Sequence, residues 1–449
     1  MLMDRAAESR PSGGRTGRTV LLAGLGGVLL VLIAVQALAA MRGFQGPIES
    51  LARDYIGTPK SASVSWAGLA LAMVGLTVRH RAIALSAAAG IDVAVAAVRY
   101  LAGGPLTVGN GATWVLTAVG VYALWKLTGE SRRNALKGVG LGALLIIATK
   151  FGDAWLSVTI MVGPMVLDEY VQLADHALGS PSWYLGQFVD AIGPIGYGVL
   201  HWVYIELPVA AIAVAFYQLR NGWPSHHLVR TFLLIGLVGP LFYVLFPVVG
   251  PIFAFGPDGQ GFQVSDYWPN LVPTPDLSPH PIPFDQVTPR NCMPSLHTAW
   301  ALALFIHSRH GHWAVRAGGT FWLVCTLIAT LGFGYHYGVD LVVGAVLTLT
   351  LESALRDPER GWGWFRIRLV AGGALTVVAL LLSYRYLAVP MATAPGVAGP
   401  LVLGALLAMS LAFYATFFAR QGTLLGSWGG RSALPAAPVM DDALGSPSR

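Results

Sequence analysis

The feature that most constrains this chain is the length of its apolar runs. Hydrophobic residues neither alternate nor keep to one helical face. They come in blocks of roughly twenty, the number a helix needs to cross a bilayer. Of the 449 residues, 55% are hydrophobic and 11% are charged, where a soluble domain carries about a quarter charged residues. In lipid each backbone amide must be satisfied within its own segment, so the blocks are expected to be helices. The formal net charge of +6 does not mark a nucleic-acid binder. The basic residues lie between the blocks, where cytoplasmic loops gather them. Cys292 and Cys325 give no disulfide framework. With no CxxC or Cys/His cluster, neither a metal nor a cofactor is expected.

The expectation is an all-α, polytopic transmembrane helical bundle of about twelve spans. The blocks fall at residues 18–41, 64–78, 82–101, 108–127, 138–166, 188–217, 228–254, 295–308, 313–331, 337–355, 369–389 and 401–418. The first is too long for a cleavable signal and is expected to be retained. The eighth is short and would be completed by re-entrant or interfacial backbone. The positive-inside rule supports this layout. Loops on one side hold Arg79, His80 and Arg81, then Arg132, Arg133 and Lys137, then Arg220 and Arg230, then Arg309 and Arg316, then Arg356, Arg360, Arg366 and Arg368. Loops on the other side hold Asp168, Glu169 and Asp175, then Asp258, Asp266, Asp276 and Asp285. An even number of spans puts both termini in the cytoplasm, in what would be the plasma (inner) membrane. Residues 1–17 and 420–449 have the composition of disordered tails. Between them lie an N-terminal membrane region (18–186), a central domain (187–355) and a C-terminal hairpin (356–419). No internal repeat is visible, which weighs against a transporter built from inverted repeats.

Chemistry concentrates after the seventh block. Residues 256–292 form a long, proline-dense polar loop, with Phe262, Tyr267, Trp268 and Phe284 to cover a lipid headgroup or simply to sit at the interface. The loop ends in Arg290-Asn291-Cys292-Met293-Pro294-Ser295-Leu296-His297. Proline and serine suit a helix start, and a helix start offers free amide donors and a positive dipole end to an anion. His297 sits in that turn, and Arg290 is expected to grip phosphate through its bidentate fork. The second constellation is Gly334-Tyr335-His336-Tyr337-Gly338-Val339-Asp340. His336 and Asp340 share one helical face at i,i+4. A carboxylate there fixes the imidazole tautomer and frees the other nitrogen for chemistry. Pro294, Ser295 and Tyr335 complete the expected substrate-contacting set. Either histidine alone is more often an interfacial or packing residue. Two on one membrane face, one backed by a carboxylate, make a chemical role the better reading.

These residues resemble the type 2 phosphatidic acid phosphatase (PAP2) superfamily. Pro294-Ser295-Leu296-His297 followed by His336 and Asp340 matches its two histidine motifs, so the second half is expected to hold a PAP2-like helical core. The wording Met293-Pro294-Ser295-Leu296-His297 is similar to the inositolphosphotransferase branch, as are His201-Trp202-Val203-Tyr204 and Phe246–Pro251. The resemblance covers about residues 187–355. It implies that His336 is the nucleophile and forms a phosphohistidine, with Asp340 orienting it. It implies that His297 is the acid toward the leaving group and then the base toward the acceptor. Two departures stand out. The Lys…Arg-Pro motif has no counterpart at the end of the seventh block, and Ala329-Thr330 replaces the usual Ser-Arg. Arg290 is the expected replacement and Lys150 a weaker one, since Asp153 one turn on is placed to pair with it. Asp92, Arg99 and Glu206 are expected to pair within or between helices.

The implied substrate is a phospholipid or other lipid phosphate, with a lipid or sugar hydroxyl as acceptor in a phosphotransferase and water in a phosphatase. The chemistry would lie on the outer face. A transporter or scaffold of many spans would leave both histidines dispensable. A membrane glycosyltransferase would need an outer acidic pair, for which Asp168-Glu169 stands alone. Nothing in the sequence fixes the oligomeric state.

Overall fold

The computed structural model describes residues 13–220, 222–255, 277–282, 288–420 and 422–428. Most of the loop between residues 256 and 292, with the four aromatics and four aspartates noted above, lies outside them, as do residues 1–12 and 429–449. The described chain is helical apart from two two-residue strands. It divides into two compact units, 1–158 and 159–449, at a point inside one long helix.

The first unit contains α1 (Gly13–Arg42), α2 (Pro47–Ile56), α3 (Ala62–Val74), α4 (Val78–Leu101), α5 (Asn110–Trp125) and most of α6 (Gly129–Val162). Glycines let its backbones meet. A Cβ on Gly142 would strike the Gly68 carbonyl, and one on Gly138 would crowd the backbone of Leu71 and Ala72. Small residues give the same close crossings between helices in membranes generally. Buried polar groups tie the loops. Asp92 accepts the N–H groups of Gly109 and Gly111 and the Trp66 indole N–H at 2.7–3.0 Å. Arg99 donates to Thr107, Asn110 and the Gly57 carbonyl. These two residues therefore serve one loop rather than pairing with each other. The Lys150–Asp153 pairing expected from i,i+3 spacing is also corrected. Lys150 Nζ lies 2.7 Å from Asp54 Oδ2, and Asp153 lies 2.9 Å from Lys60. Proximity along α6 yields to partners from α2 and the loop after it.

The second unit contains α7 (Asp168–His176), α8 (Pro181–Ala191), α9 (Gly193–Ile205), α10 (Leu207–Leu219), α11 (Leu228–Leu245), α12 (Pro251–Ala254), α13 (Leu296–Ser308), α14 (Trp313–Gly332), α15 (Gly338–Leu355), α16 (Trp364–Tyr386), α17 (Ala388–Thr393), α18 (Pro395–Phe417) and α19 (Leu424–Trp428). Strand β1 (Met165–Val166) pairs antiparallel with β2 (His280–Pro281). Helix α15 is the axis: 72% of its apolar window is buried, against 17–39% for the other spanning helices. It packs on α13, α16 and α18, and α13 packs on α11 and α14. Gly344 lets α15 touch the Ser295 backbone directly.

Every apolar block carries a helix, but the structure does not support twelve crossings. Seven helices among the described residues are long and apolar enough to span, or up to nine if each bent pair counts as one. The bends are 92° between α1 and α2 and 56° between α9 and α10. Helices α3 and α13 have 13 residues each, about 20 Å at 1.5 Å per residue, short of a hydrocarbon core about 30 Å thick.

Candidate active site

Helices α13 and α15 run side by side with their N-termini at one end, and this brings the two histidine motifs together. Ser295 caps α13, its Oγ accepting the Thr298 N–H at 3.3 Å. Its own N–H donates to the Asp340 carbonyl at 3.3 Å, joining the two helix starts. Asp340 stands in the first turn of α15, where its Oδ2 accepts the Tyr337 N–H at 2.9 Å. The segment 246–251 closes the same end. Val248 accepts the Cys292 N–H at 3.1 Å, and Ile252 donates to the Gly334 carbonyl at 2.8 Å. Gly250 lies against the Tyr335 carbonyl with φ of +103°, where a side chain would collide and strain the backbone.

Each imidazole is held through Nδ1. His336 Nδ1 faces Asp340 Oδ2 at 3.3 Å, so Nε2 is free of that pair. His297 Nδ1 meets the Tyr204 hydroxyl at 3.0 Å, and the two rings stack with centroids 3.9 Å apart. Tyr204 comes from α9, and its ring also lies 5.4 Å from that of Tyr335. The two histidines are within electrostatic reach of each other. Burial holds the His336 imidazole near 3, far below its usual range. It is thus neutral, as a nucleophile must be.

Cys292 enters this group without any signal in the sequence. Its thiol donates to Asp340 Oδ2 at 2.5 Å and lies 3.5 Å from His336 Nδ1. Burial, and then the Asp340 charge, push the thiol well above its usual pKa, so it stays S–H. One carboxylate oxygen therefore serves Cys292, His336 and Tyr337, while Asp340 Oδ1 is buried without a partner. Cys292, His336 and Asp340 also form a group able to hold a cation.

The carboxylates of α7 were equally hidden. Asp168 accepts the N–H groups of Val249 and Gly250 and the Tyr337 hydroxyl at 2.8–3.1 Å. Asp175 accepts the Val339 N–H at 3.1 Å. Burial raises them to about 6 and about 8. Asp168-Glu169 is thus no exposed acidic pair; Asp168 braces the 246–251 turn and the start of α15.

Arg290 is fully buried, and its guanidinium faces protein carbonyls. It donates to Gly163 at 2.9 Å, Thr288 at 2.5 Å and Ile282 at 2.9 Å. Those contacts staple the loop beside the β1–β2 pair. Gripping phosphate would require it to leave them. Pro294 and Ser295 are buried behind the pair. Tyr335 is half-buried beside His336.

Residues 171–352 match the model of the PAP2 superfamily. Residues 20–158 match a domain of unknown function (DUF5933). No curated protein and no solved structure matches the chain. Over residues 171–352 the second unit is therefore similar to the PAP2 superfamily, and the described residues include several helices long and apolar enough to cross a membrane. The match does not single out the inositolphosphotransferase-like branch.

Proposed function

We propose that this protein is a membrane lipid phosphotransferase or phosphatase of the inositolphosphotransferase-like kind, working through a phosphohistidine at His336. The observation that carries this reading is the pair of Nδ1 contacts, Asp340 on His336 and Tyr204 on His297, at adjoining helix starts. Each contact leaves an Nε2 for the substrate.

His336 Nε2 attacks phosphorus as the bond to the leaving oxygen breaks. Asp340 stabilises the charge that develops on the ring. When the Tyr204 O–H donates to Nδ1, the proton of His297 sits on Nε2, facing the leaving oxygen. A bound phosphate anion raises the proton affinity of that ring; protonated on both nitrogens, with Nδ1–H now donating to the Tyr204 oxygen, it gives its Nε2 proton to the leaving oxygen and is left neutral. In the second half His297 takes the proton of the incoming hydroxyl as its oxygen attacks the phosphohistidine. A lipid or sugar hydroxyl gives transfer, and water gives hydrolysis. The donor is a phospholipid or other lipid phosphate, and the sidedness of charged loops favours the outer face of the plasma membrane.

The test is incubation of the purified full-length protein in vesicles with phospholipid donors, with and without hydroxyl acceptors, against His336→Ala. Acceptor-dependent headgroup transfer that disappears in the variant supports a transferase, and phosphate release alone supports a phosphatase. An acid-labile, base-stable phosphate trapped on wild type must be absent from the variant. Equal activity in both would overturn the reading.

A further inference from the structure

The far end of the same two helices holds a second buried constellation that the proposed chemistry does not use. His307 stands ten residues beyond His297 on α13, about 15 Å along the helix. Next to it, on α15, is Glu352, which is fully buried. His226, from the loop before α11, completes the group. Its Nε2 lies 2.9 Å from Glu352 Oε1, and His307 Nε2 lies 3.1 Å from the same oxygen. Thr231 donates to Glu352 Oε2 at 2.6 Å, and Arg356 Nε reaches Oε1 at 3.2 Å. Beside them opens a cavity of about 230 Å³ lined by His226, His307, Arg356, Asp357 and Glu359, among others.

We propose that His226, His307 and Glu352 form a site for a divalent transition-metal cation of the zinc class. Three observations converge on it. First, the three donor atoms lie within 4.8 Å of one another. Around a tetrahedral zinc, with bonds near 2.0–2.1 Å, ligand atoms sit about 3.3 Å apart, so the 2.9 and 3.1 Å separations need to open by only a few tenths of an ångström. Two histidines and one glutamate are a known zinc set, and the cavity leaves room for water in the remaining position. Second, charge is unbalanced. With neutral histidines, the cavity and the carboxylate behind it set Arg356 against Glu352, Asp357 and Glu359, leaving two negative charges. Arg360, 3.8 Å from Asp357, offsets part of this from outside the lining. Third, His226 Nδ1 is buried without a hydrogen bond among the described residues, so no second contact ties this ring and its Nε2 can turn from Glu352 toward a cation.

Gln218 sharpens the test. Its Oε1 accepts the Leu228 N–H at 2.9 Å, which turns its Nε2 toward His307 Nδ1 at 3.0 Å. A cation on His307 Nε2 moves the ring proton to Nδ1, which then needs an acceptor. In the wild type the amide must turn over. A glutamate at this position would supply the acceptor directly, as carboxylates behind metal-bound histidines do.

The experiment strips the full-length protein with chelator, loads it from buffered Zn²⁺, and counts metal by mass spectrometry. Co²⁺ loading adds the visible absorption of a tetrahedral site. The expected result is one ion per chain, with affinity lowered at least tenfold in both His226→Ala and Glu352→Gln and raised about tenfold in Gln218→Glu. Cys292→Ser should retain the ion, which separates this site from the Cys292–His336–Asp340 group. His226 lies in a loop, so His226→Ala keeps the test valid if Glu352→Gln fails to fold. Absence of bound ion, an affinity unchanged in His226→Ala, or loss in Cys292→Ser would each overturn the proposal.

Discussion

Each unit buries an aspartate that gathers several donors, Asp92 within α4 and Asp340 in the first turn of α15, and the two are used differently. In the first unit both oxygens of Asp92 accept from fixed donors, two amides at the start of α5 and an indole, at 2.7–3.0 Å. In the second unit Asp340 gathers three partners on Oδ2 and leaves Oδ1 without one. One of the three is an imidazole whose other nitrogen is not committed to that contact. A buried carboxylate is therefore not itself a sign of catalysis, because burial only demands that the charge be met. The difference lies in whether a donor has chemistry of its own.

The hardest way to break this comparison is to remove the imidazole on one side and the accepting carboxylate on the other. His336→Ala should lower turnover by about 10⁴-fold or more, as loss of a nucleophile does elsewhere. Asp92→Asn should leave turnover per folded molecule unchanged and lower stability by about 1–3 kcal/mol. Rates measured on monodisperse protein check both, and an Asp92 effect on turnover as large as that of His336 would erase the distinction.

Asp340→Asn comes next. The amide keeps the volume but cannot stabilise an imidazolium, and a loss of about 10²–10⁴-fold in turnover is expected. Cys292→Ala should cost about tenfold, because the thiol fixes the rotamer of Asp340, and Cys292→Ser should recover most of that. A pre-steady-state measurement of phosphoenzyme formation would locate both losses in the first half-reaction. Losses confined to the second half-reaction would contradict the assignment of Asp340 to the nucleophile.

Much of this end was legible beforehand. His297, His336 and Asp340 declare themselves because each stands at a helix start, where local spacing decides what faces what. The remaining site is long-range. Cys292 meets Asp340 across 48 residues, and Arg290 meets Gly163 across 127. Lys150 and Asp153 looked like a pair along one helix, yet each found a partner elsewhere. Apolar blocks marked the long helices but not their lengths, since hydropathy runs on through turns such as the one between α9 and α10, and they missed short helices such as α2 and α7.

Arg290 offers a smaller, more discriminating effect. Among the described residues its guanidinium donates to the carbonyls of Gly163, Ile282 and Thr288. Arg290→Lys preserves the charge but loses the fork, so stability should fall by about 2–4 kcal/mol while KM for a lipid phosphate stays within about twofold. A several-fold rise in KM without a fall in melting temperature would make Arg290 a phosphate ligand instead.

The last expected effect leaves turnover aside and is a change in the pH slope of stability. Asp175 goes from an ordinary value of 3.8 to about 8 in the folded protein, chiefly through burial. Between these limits the folded state holds a proton that the unfolded chain has released. The contribution to stability is thus complete below pH 3.8 and is lost as pH rises through about 8. The slope in that window is at most about 1.4 kcal/mol per pH unit. Asp175→Asn removes the titration and can leave the oxygen that accepts the Val339 N–H in place. The variant should melt with a smaller drop between pH 5 and pH 9 than wild type, at equal detergent and salt. Asp168, at about 6 for the same reason, leaves a residual slope that ends near pH 6. Parallel melting curves for variant and wild type across the whole range would mean that Asp175 is already ionised in the folded state. The α7 brace would then be a carboxylate that accepts the Val339 N–H rather than a neutral carboxyl.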